Sequence, residues 1–131
     1  MKARATVIGF KDRVEGTVLV DTGASLTPLD RRIAEIVGVK SVGRTVNVVA
    51  DGHELVAELA ILEKLTVEGE ELPYAYVAVL EFPNSLRQKL RELSLVDWRM
   101  LGLSTLELLQ LAPDVRTGTL RKTTAFAIIL T

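Results

Sequence analysis

The most constraining feature of the chain is an acidic residue placed directly after a run of apolar residues that favour β-strands. Residues 18–20 are apolar and lead into Asp21, which is followed by a small hydroxyl residue, Thr22, and by Gly23. Such a run predicts a buried strand, and the glycine predicts a tight loop at its end. The sequence therefore predicts a carboxylate that a buried strand presents on a tight loop.

The loop that begins at Asp21 resembles the active-site loop of the aspartic proteases. In a chain of 131 residues it is most similar to the retroviral, or retropepsin-like, branch of that family. Enzymes of this class hold two carboxylates that share one proton, so that one activates water while the other protonates the carbonyl oxygen. The resemblance implies that Asp21 is one of these catalytic carboxylates and that no metal or cofactor takes part. The residues that it assigns to the support and lining of the loop are Thr22, Gly23, Ala24 and Ser25.

A second loop of this kind is not found in the sequence. None of the other aspartates stands between an apolar run and a Thr-Gly or Ser-Gly pair. The simplest source of a matching loop is a second copy of the chain, related to the first by a twofold axis. We therefore expect a homodimer in which each chain contributes Asp21 to one shared site. The other aspartates are Asp12, Asp30, Asp51, Asp97 and Asp114.

The first part of the chain shows two further local patterns. Residues 3–10 alternate loosely and predict a first strand, with a turn at 11–13. Apolar residues spaced three and four apart predict a short helix over 31–37, with Asp30 as its N-cap and Gly38 at its end. Because capping is a sufficient reason for an aspartate at this position, we interpret Asp30 as structural.

Two β-hairpins are predicted in the middle of the chain. The first has strands 45–50 and 54–62 around an Asp-Gly pair, which is favoured in tight turns, and the second has strands 62–67 and 72–80. In the family resemblance the first hairpin takes the place of the flap, which closes over bound peptide. The alternative is an ordinary surface hairpin with a solvent-exposed histidine. The flap residues would be Ala50, Asp51, Gly52 and His53.

A second helical pattern covers residues 84–94, with Ser85 and Gln88 as a capping box. This stretch departs from the compact pattern of the family, and we interpret it as an inserted helix beside the cleft. Trp98 then has two interpretations. It either lines a substrate pocket or packs as a core aromatic residue.

The end of the chain carries the second part of the resemblance. Members of the family place two apolar residues and a glycine on the strand that crosses behind the catalytic loop, and residues 100–102 match this pattern, with Gly102 allowing close backbone packing. A capping box at 104–107 predicts a helix that ends near 111, and residues 114–120 resemble the family's terminal hairpin. The apolar tail at 125–131 is expected either at the subunit interface or in the core of its own chain.

The composition narrows the classes of function. A chain of 131 residues predicts a single domain, 1–131, and 48% hydrophobic residues with a net charge of -1 give no reason to expect a nucleic-acid or membrane partner. We expect a cytoplasmic location, because the first residues lack a signal-peptide pattern. The absence of cysteine excludes disulfides and thiolate nucleophiles, and the single histidine, His53, lacks the ligand cluster of a zinc site.

Together these observations predict an all-β, retropepsin-like closed β-barrel of the acid protease fold, with two or three short helices, acting as a homodimeric endopeptidase on peptide or unfolded protein. One alternative is a dimer of the same fold that binds peptides or acts as a scaffold without turnover. In another alternative, residues 21–25 form the first phosphate loop of an actin-like or sugar-kinase ATPase, although the two lobes of those proteins need a longer chain. The candidates for residues that line the cleft are Ala24, Ser25, Val49, His53, Leu55 and Trp98.

Overall fold

The computed structural model of the protein describes residues 1–50 and 52–123. Within these residues the chain is mostly β. The strands are β1 (Lys2–Ile8), β2 (Arg13–Val20), β3 (Pro28–Asp30), β4 (Lys40–Ala50), β5 (His53–Ile61), β6 (Lys64–Val67), β7 (Glu70–Pro73), β8 (Tyr76–Leu80), β9 (Met100–Leu101), β10 (Leu111–Asp114) and β11 (Thr119–Lys122). The helices are α1 (Arg31–Val37), α2 (Asn84–Glu92) and α3 (Leu103–Leu109).

The first sheet has the strand order β7-β6-β1-β2-β9. Its centre is the antiparallel hairpin of β1 and β2, in which Lys2 pairs with Leu19. Buried and more exposed residues alternate along both strands, because successive side chains point to opposite faces of a sheet. β9 runs parallel to the end of β2, with Val20 opposite Leu101. Asp21 therefore leaves the sheet beside β9, as the sequence predicts for the strand behind the loop.

The second sheet has the order β3-β8-β5-β4, and β3 runs parallel to β8. β4 and β5 form the hairpin that the sequence predicts, from the pair Lys40–Ile61 to the pair Ala50–His53. The prediction of one strand over 72–80 is wrong. β7 pairs with β6 in the first sheet, whereas β8 pairs with β5 in the second. The chain turns between the sheets at Tyr74, whose positive φ of 54° interrupts the extended backbone.

Two clusters of buried apolar side chains form the core. The larger one joins residues of the first sheet to α1 and α3, among them Val18 and Leu106. The smaller one includes Phe82, Leu90 and Met100, so it joins α2 to β9 and to the second sheet. Several members of this smaller cluster also line the cavity of the candidate site, so the cavity is built on the core.

Asp30 and Gly38 stand at the two ends of α1 as predicted, whereas the capping boxes predicted for α2 and α3 are wrong. Asp30 stands at the N-cap of α1 but makes no side-chain capping bond, because its carboxylate is turned to two arginines. α2 begins at Asn84, so Ser85 lies inside its first turn instead of before it, and Gln88 donates to Glu92. α3 begins at Leu103 and ends at Leu109, two residues before the predicted end.

The remaining strands, β10 and β11, form the terminal hairpin that the sequence predicts. Hydrogen bonds join the strands of residues 1–50 and 52–123 into sheets of five, four and two strands, and no pairing among them closes a single barrel. The longest helix of this part of the chain has nine residues, too few to cross a membrane. The tail at 125–131 lies outside the described residues, so both of its expected locations stay predictions.

Candidate active site

The loop after β2 is fixed by hydrogen bonds at both ends of Asp21. The Asp21 N–H donates to the carbonyl of Leu101 on β9, at 2.9 Å. The Asp21 Oδ1 accepts from the N–H of Gly23 at 3.0 Å, and the Asp21 carbonyl accepts from the N–H of Ala24 at 3.1 Å. The side chain is half-buried, so the carboxylate is oriented by the loop and still accessible.

A second set of contacts holds the loop from behind. Thr27, which is buried, accepts a hydrogen bond from the N–H of Gly102 at 3.0 Å. A Cβ on Gly102 would lie only 2.3 Å from the carbonyl oxygen of Leu26. The absence of a side chain at position 102 therefore allows the two backbones to touch, as the family pattern implies.

The first turn of α3 continues this attachment. The N–H of Leu103 donates to the carbonyl of Ala24 at 2.7 Å. The hydroxyl of Ser104 donates to the carbonyl of Ser25 at 2.6 Å, which explains why this serine does not cap the helix. The carbonyls of Ala24 and Ser25 thus each have a donor from the first turn of α3, which satisfies these two backbone groups.

A cavity of about 530 Å³ opens beside the loop. Its walls come from four parts of the chain. The first is the loop itself, with Asp21, Gly23, Ala24 and Ser25, and the second is β4 of the long hairpin, with Asn47, Val48 and Val49. The third is helix α2, with Leu86 and Lys89, and the fourth is a set of apolar residues that includes Leu80, Phe82 and Met100. The carboxylate therefore faces a largely apolar groove.

The structure brings together some of the predicted site residues and separates others. Ala24, Ser25 and Val49 line the cavity, whereas Leu55 packs on the smaller core cluster and Trp98 on the larger one. Thr22, Gly52 and His53 are exposed and are not among the described lining residues. Ala50 ends β4, and Asp51 lies outside the described residues.

A comparison with protein families separates the aspartic protease resemblance from the phosphate-loop alternative. A family model described as aspartyl protease matches residues 3–104, which include the Asp21 loop and Gly102. The chain belongs to the aspartyl protease family. This match covers more than three quarters of the sequence, and it takes away the support for the phosphate-loop alternative.

Comparison with solved structures agrees with this family. The retroviral protease-like domain of Ddi1 from Leishmania major superposes on this aspartyl protease family member with a TM-score of 0.54 and 21% sequence identity. The match covers 95% of this chain and 88% of that one. It shows that the two chains share the retropepsin-like fold. The search of curated proteins gave no match.

Sequence reasoning missed the environment of Asp30 in this aspartyl protease family member. Its carboxylate is fully buried and accepts hydrogen bonds from Arg32 at 2.9 Å and from Arg87 at 3.0 and 3.2 Å. The N–H of Phe82 also points to it, at 3.4 Å. Arg87 lies 57 positions away on α2, so no local pattern in the sequence indicates the pair.

A second acid extends this cluster. Asp97, just ahead of β9, pairs with Arg91 of α2 at 2.7 Å and lies 3.8 Å from Arg32. We call the five residues Asp30, Arg32, Arg87, Arg91 and Asp97 the ion-pair network. The network joins α2 to the start of α1 and to the segment that leads into β9.

Arg99 is the other residue that the sequence did not reveal. It is fully buried, and none of its guanidinium nitrogens has a hydrogen-bond partner within the described part of the chain. Burial lowers the pKa of Arg99 to about 9, because an apolar environment disfavours the charged form. Its backbone forms a bridge with Leu29, a core residue.

The described residues also bear on metal binding. Within residues 1–50 and 52–123, no group of three His, Asp or Glu side chains is placed to hold a metal ion.

Proposed function

We propose that this chain is an aspartic endopeptidase that acts as a homodimer, with one Asp21 from each subunit in a shared site. The observation that supports this most directly is the Asp21 loop. It presents an accessible carboxylate, oriented by Gly23, at the edge of a largely apolar groove. In a member of the aspartyl protease family, this is the arrangement that peptide hydrolysis requires.

The need for two chains follows from the number of carboxylates that line the groove. Asp21 is the only acidic residue among the described lining residues. One carboxylate cannot be ionised to activate water and protonated to assist the carbonyl at the same moment. A twofold axis beside the loop supplies the second carboxylate without a second motif in the sequence.

The reaction then proceeds without a covalent intermediate. The ionised Asp21 removes a proton from the water as its oxygen attacks the carbonyl carbon, and the protonated Asp21 of the other subunit donates its proton to the carbonyl oxygen. The tetrahedral intermediate, a gem-diol, collapses when the C–N bond breaks and the nitrogen receives a proton from the carboxyl group that took it from water. At the same time the other carboxylate takes back a proton from one hydroxyl of the gem-diol, so the products are an amine and a carboxylic acid and the pair regains its shared proton. Since one carboxylate must be protonated and its neighbour ionised, the rate should follow a bell-shaped pH profile.

The β4–β5 hairpin is proposed as the flap over this site. Asn47, Val48 and Val49 already form a wall of the groove, and Val49 is 79% exposed. An apolar side chain that is so exposed can contact an extended peptide bound beneath the hairpin. In this proposal the substrate is therefore a peptide or an unfolded segment of protein.

The proposal is tested by digestion of a peptide library from acid to neutral pH with wild type, Asp21→Asn and Asp12→Asn. Asp12 is an exposed aspartate in the β1–β2 turn and serves as a matched control. We expect cleavage by wild type and by Asp12→Asn, and none by Asp21→Asn. A wild-type dimer that cleaves nothing would contradict the proposal and favour peptide binding without turnover. Cleavage that survives in Asp21→Asn would also contradict it.

A further inference from the structure

We infer that helix α2 is the wall of the groove that selects the substrate. Leu86 limits the size of the apolar side chain that is accepted there. Asp30 and Arg87 are the positioning residues that hold this wall in place. The inference rests on the proposed function, because it names the selecting element of the same site. The ligand is a peptide with an apolar side chain next to the bond that is cleaved.

Leu86 and Lys89 place α2 at the groove. They are three positions apart, so they share one face of the helix, and both line the cavity together with Asp21. Leu86 is half-buried, because it packs on the smaller core cluster, whose member on α2 is the buried Leu90. A side chain that is supported by the core and borders the cavity cannot move aside easily, so its size decides what fits.

The residues around Leu86 determine the chemistry of the side chain that is selected. Leu80, Phe82 and Met100 line the same cavity, and all three are buried members of the smaller core cluster. A polar substrate side chain in this place would lose its hydrogen bonds to water without gaining a described partner from these three residues. At Leu86 the wall therefore distinguishes apolar side chains by volume, whereas Lys89 is the charged part of the same wall.

The opposite side of α2 is fixed by Arg87. One of its guanidinium nitrogens contacts both carboxylate oxygens of Asp30, at 3.0 and 3.2 Å. The side chain of Asp30 is fully buried and that of Arg87 is 13% exposed. Loss of Arg87 leaves the buried Asp30 carboxylate with Arg32 alone, and loss of Asp30 leaves the largely buried Arg87 without its described counter-ion. Either loss is more disruptive than loss of an ion pair in water. The pair therefore fixes the orientation of the helix.

The segments that hold α2 also form the floor of the groove. Asp30 ends β3, whose Pro28 lines the cavity, and Asp97, which pairs with Arg91, precedes β9, whose Met100 lines it. A nine-residue helix has little stability of its own, so its position depends on such side-chain contacts. Wall and floor are thus tied together by the ion-pair network.

The test measures binding in the Asp21→Asn background, which does not need turnover. Fluorescent peptides that differ only in one side chain, Val, Leu, Phe or Trp, are titrated with the parent and with added Leu86→Ala or Leu93→Ala. Leu93 follows the same helix, is 58% exposed and serves as the matched control. We expect Leu86→Ala to shift the ratio of affinities for Trp over Val about tenfold toward Trp, and Leu93→Ala to leave it unchanged.

An unchanged ratio in Leu86→Ala, or an equal shift in Leu93→Ala, would overturn the inference, as would the absence of binding to every peptide. The proposed function is judged separately. Binding with the expected shift but no cleavage by wild type would count against the protease and not against the wall. Cleavage by wild type with an unchanged ratio of affinities in Leu86→Ala would count against the wall and not against the protease.

The positioning role is tested with Arg87→Gln and Arg87→Lys in the active chain. Displacement of the wall should raise KM about tenfold and leave kcat within about twofold, because Arg87 does not contact the reacting groups. Arg87→Lys should recover part of the loss, since it keeps the charge but not the planar fork of nitrogens. A fall in kcat at constant KM would contradict the role, and if Arg87→Gln does not fold, the KM of Arg87→Lys decides.

Discussion

The hydroxyl oxygen of Thr27 accepts a hydrogen bond from the N–H of Gly102 at 3.0 Å, although the two residues are 75 positions apart. The same oxygen lies 2.6 Å from the hydroxyl of Thr105, and both threonines are buried. These bonds join the end of the Asp21 loop to the start of α3. The position of Asp21 therefore depends on contacts that are made behind the loop as well as within it.

Substitution of Gly102 by alanine should damage the fold at this contact. The added Cβ would lie 2.3 Å from the Leu26 carbonyl oxygen and 2.9 Å from that of Ala24, and backbone atoms cannot move aside cheaply. We expect a loss of about 1–3 kcal/mol or more in the free energy of unfolding, measured by urea denaturation. Gly118→Ala is the control, because its positive φ of 69° adds strain of about 1–2 kcal/mol but its Cβ meets no atom of the described residues within 4 Å. A free energy of unfolding in Gly102→Ala equal to that of wild type would contradict this role.

Thr27→Val tests the hydrogen bonds without a change of shape. It leaves the N–H of Gly102 and the hydroxyl of Thr105 without their common partner, which should cost about 1–3 kcal/mol of stability. Adding Thr105→Val removes one of these unsatisfied groups. The double variant should therefore lose less than the sum of the two single variants, as a double-mutant cycle in denaturant would show. Strict additivity would mean that the two hydroxyls act independently.

Much of this site follows from short-range sequence signals. The strand into Asp21, the loop after it and the hairpin of β4 and β5 were predicted correctly, because apolar runs and Asp-Gly turns act within a few residues. The close packing at Gly102 was predicted from the family resemblance, and a Cβ there would touch the loop backbone.

The predictions that failed depended on partners distant in sequence. A capping role for Asp30 was reasonable from its neighbours, but a guanidinium from α2, 57 positions away, forms the stronger contact. The apolar run 72–80 looked like one strand because its pattern does not show that Tyr74 turns the chain from one sheet to the other. For Arg99, charge alone predicts exposure, and only the packing around β9 buries it.

Replacement of Arg99 by methionine should stabilise the protein at neutral pH. A buried guanidinium without a partner in the described residues carries a desolvation cost, which an apolar side chain of similar length avoids. We expect a gain of about 1–4 kcal/mol, measured by chemical denaturation at pH 7. Arg44→Met, at an exposed position on β4, is the control and should change the stability little. A loss of stability in Arg99→Met would show that the guanidinium has a partner.

The advantage of Arg99→Met should also depend on pH. The folded-state pKa of Arg99 is lowered to about 9, well below its usual value, so below pH 9 the residue is charged in both states and the full burial cost is present. As the pH rises above about 9, the unfolded chain binds more protons than the folded one, and the wild type gains stability. The difference between the two proteins should therefore narrow above pH 9. A constant difference from pH 7 to 10.5 would contradict this linkage.

The proposed shared site predicts that inactive chains inhibit active ones by forming mixed dimers with them. When wild type and Asp21→Asn are mixed in equal amounts and allowed to exchange subunits, about one quarter of the dimers contain two Asp21 carboxylates, because pairing is random. Activity per wild-type chain should therefore fall to about half, and dilution below the dissociation constant of the dimer should lower it further. An equal amount of Asp12→Asn, which keeps Asp21, should have no such effect. If activity per wild-type chain stays constant in the mixture while light scattering shows exchanged dimers, each chain must hold a complete site, and the twofold arrangement of the two Asp21 residues is wrong.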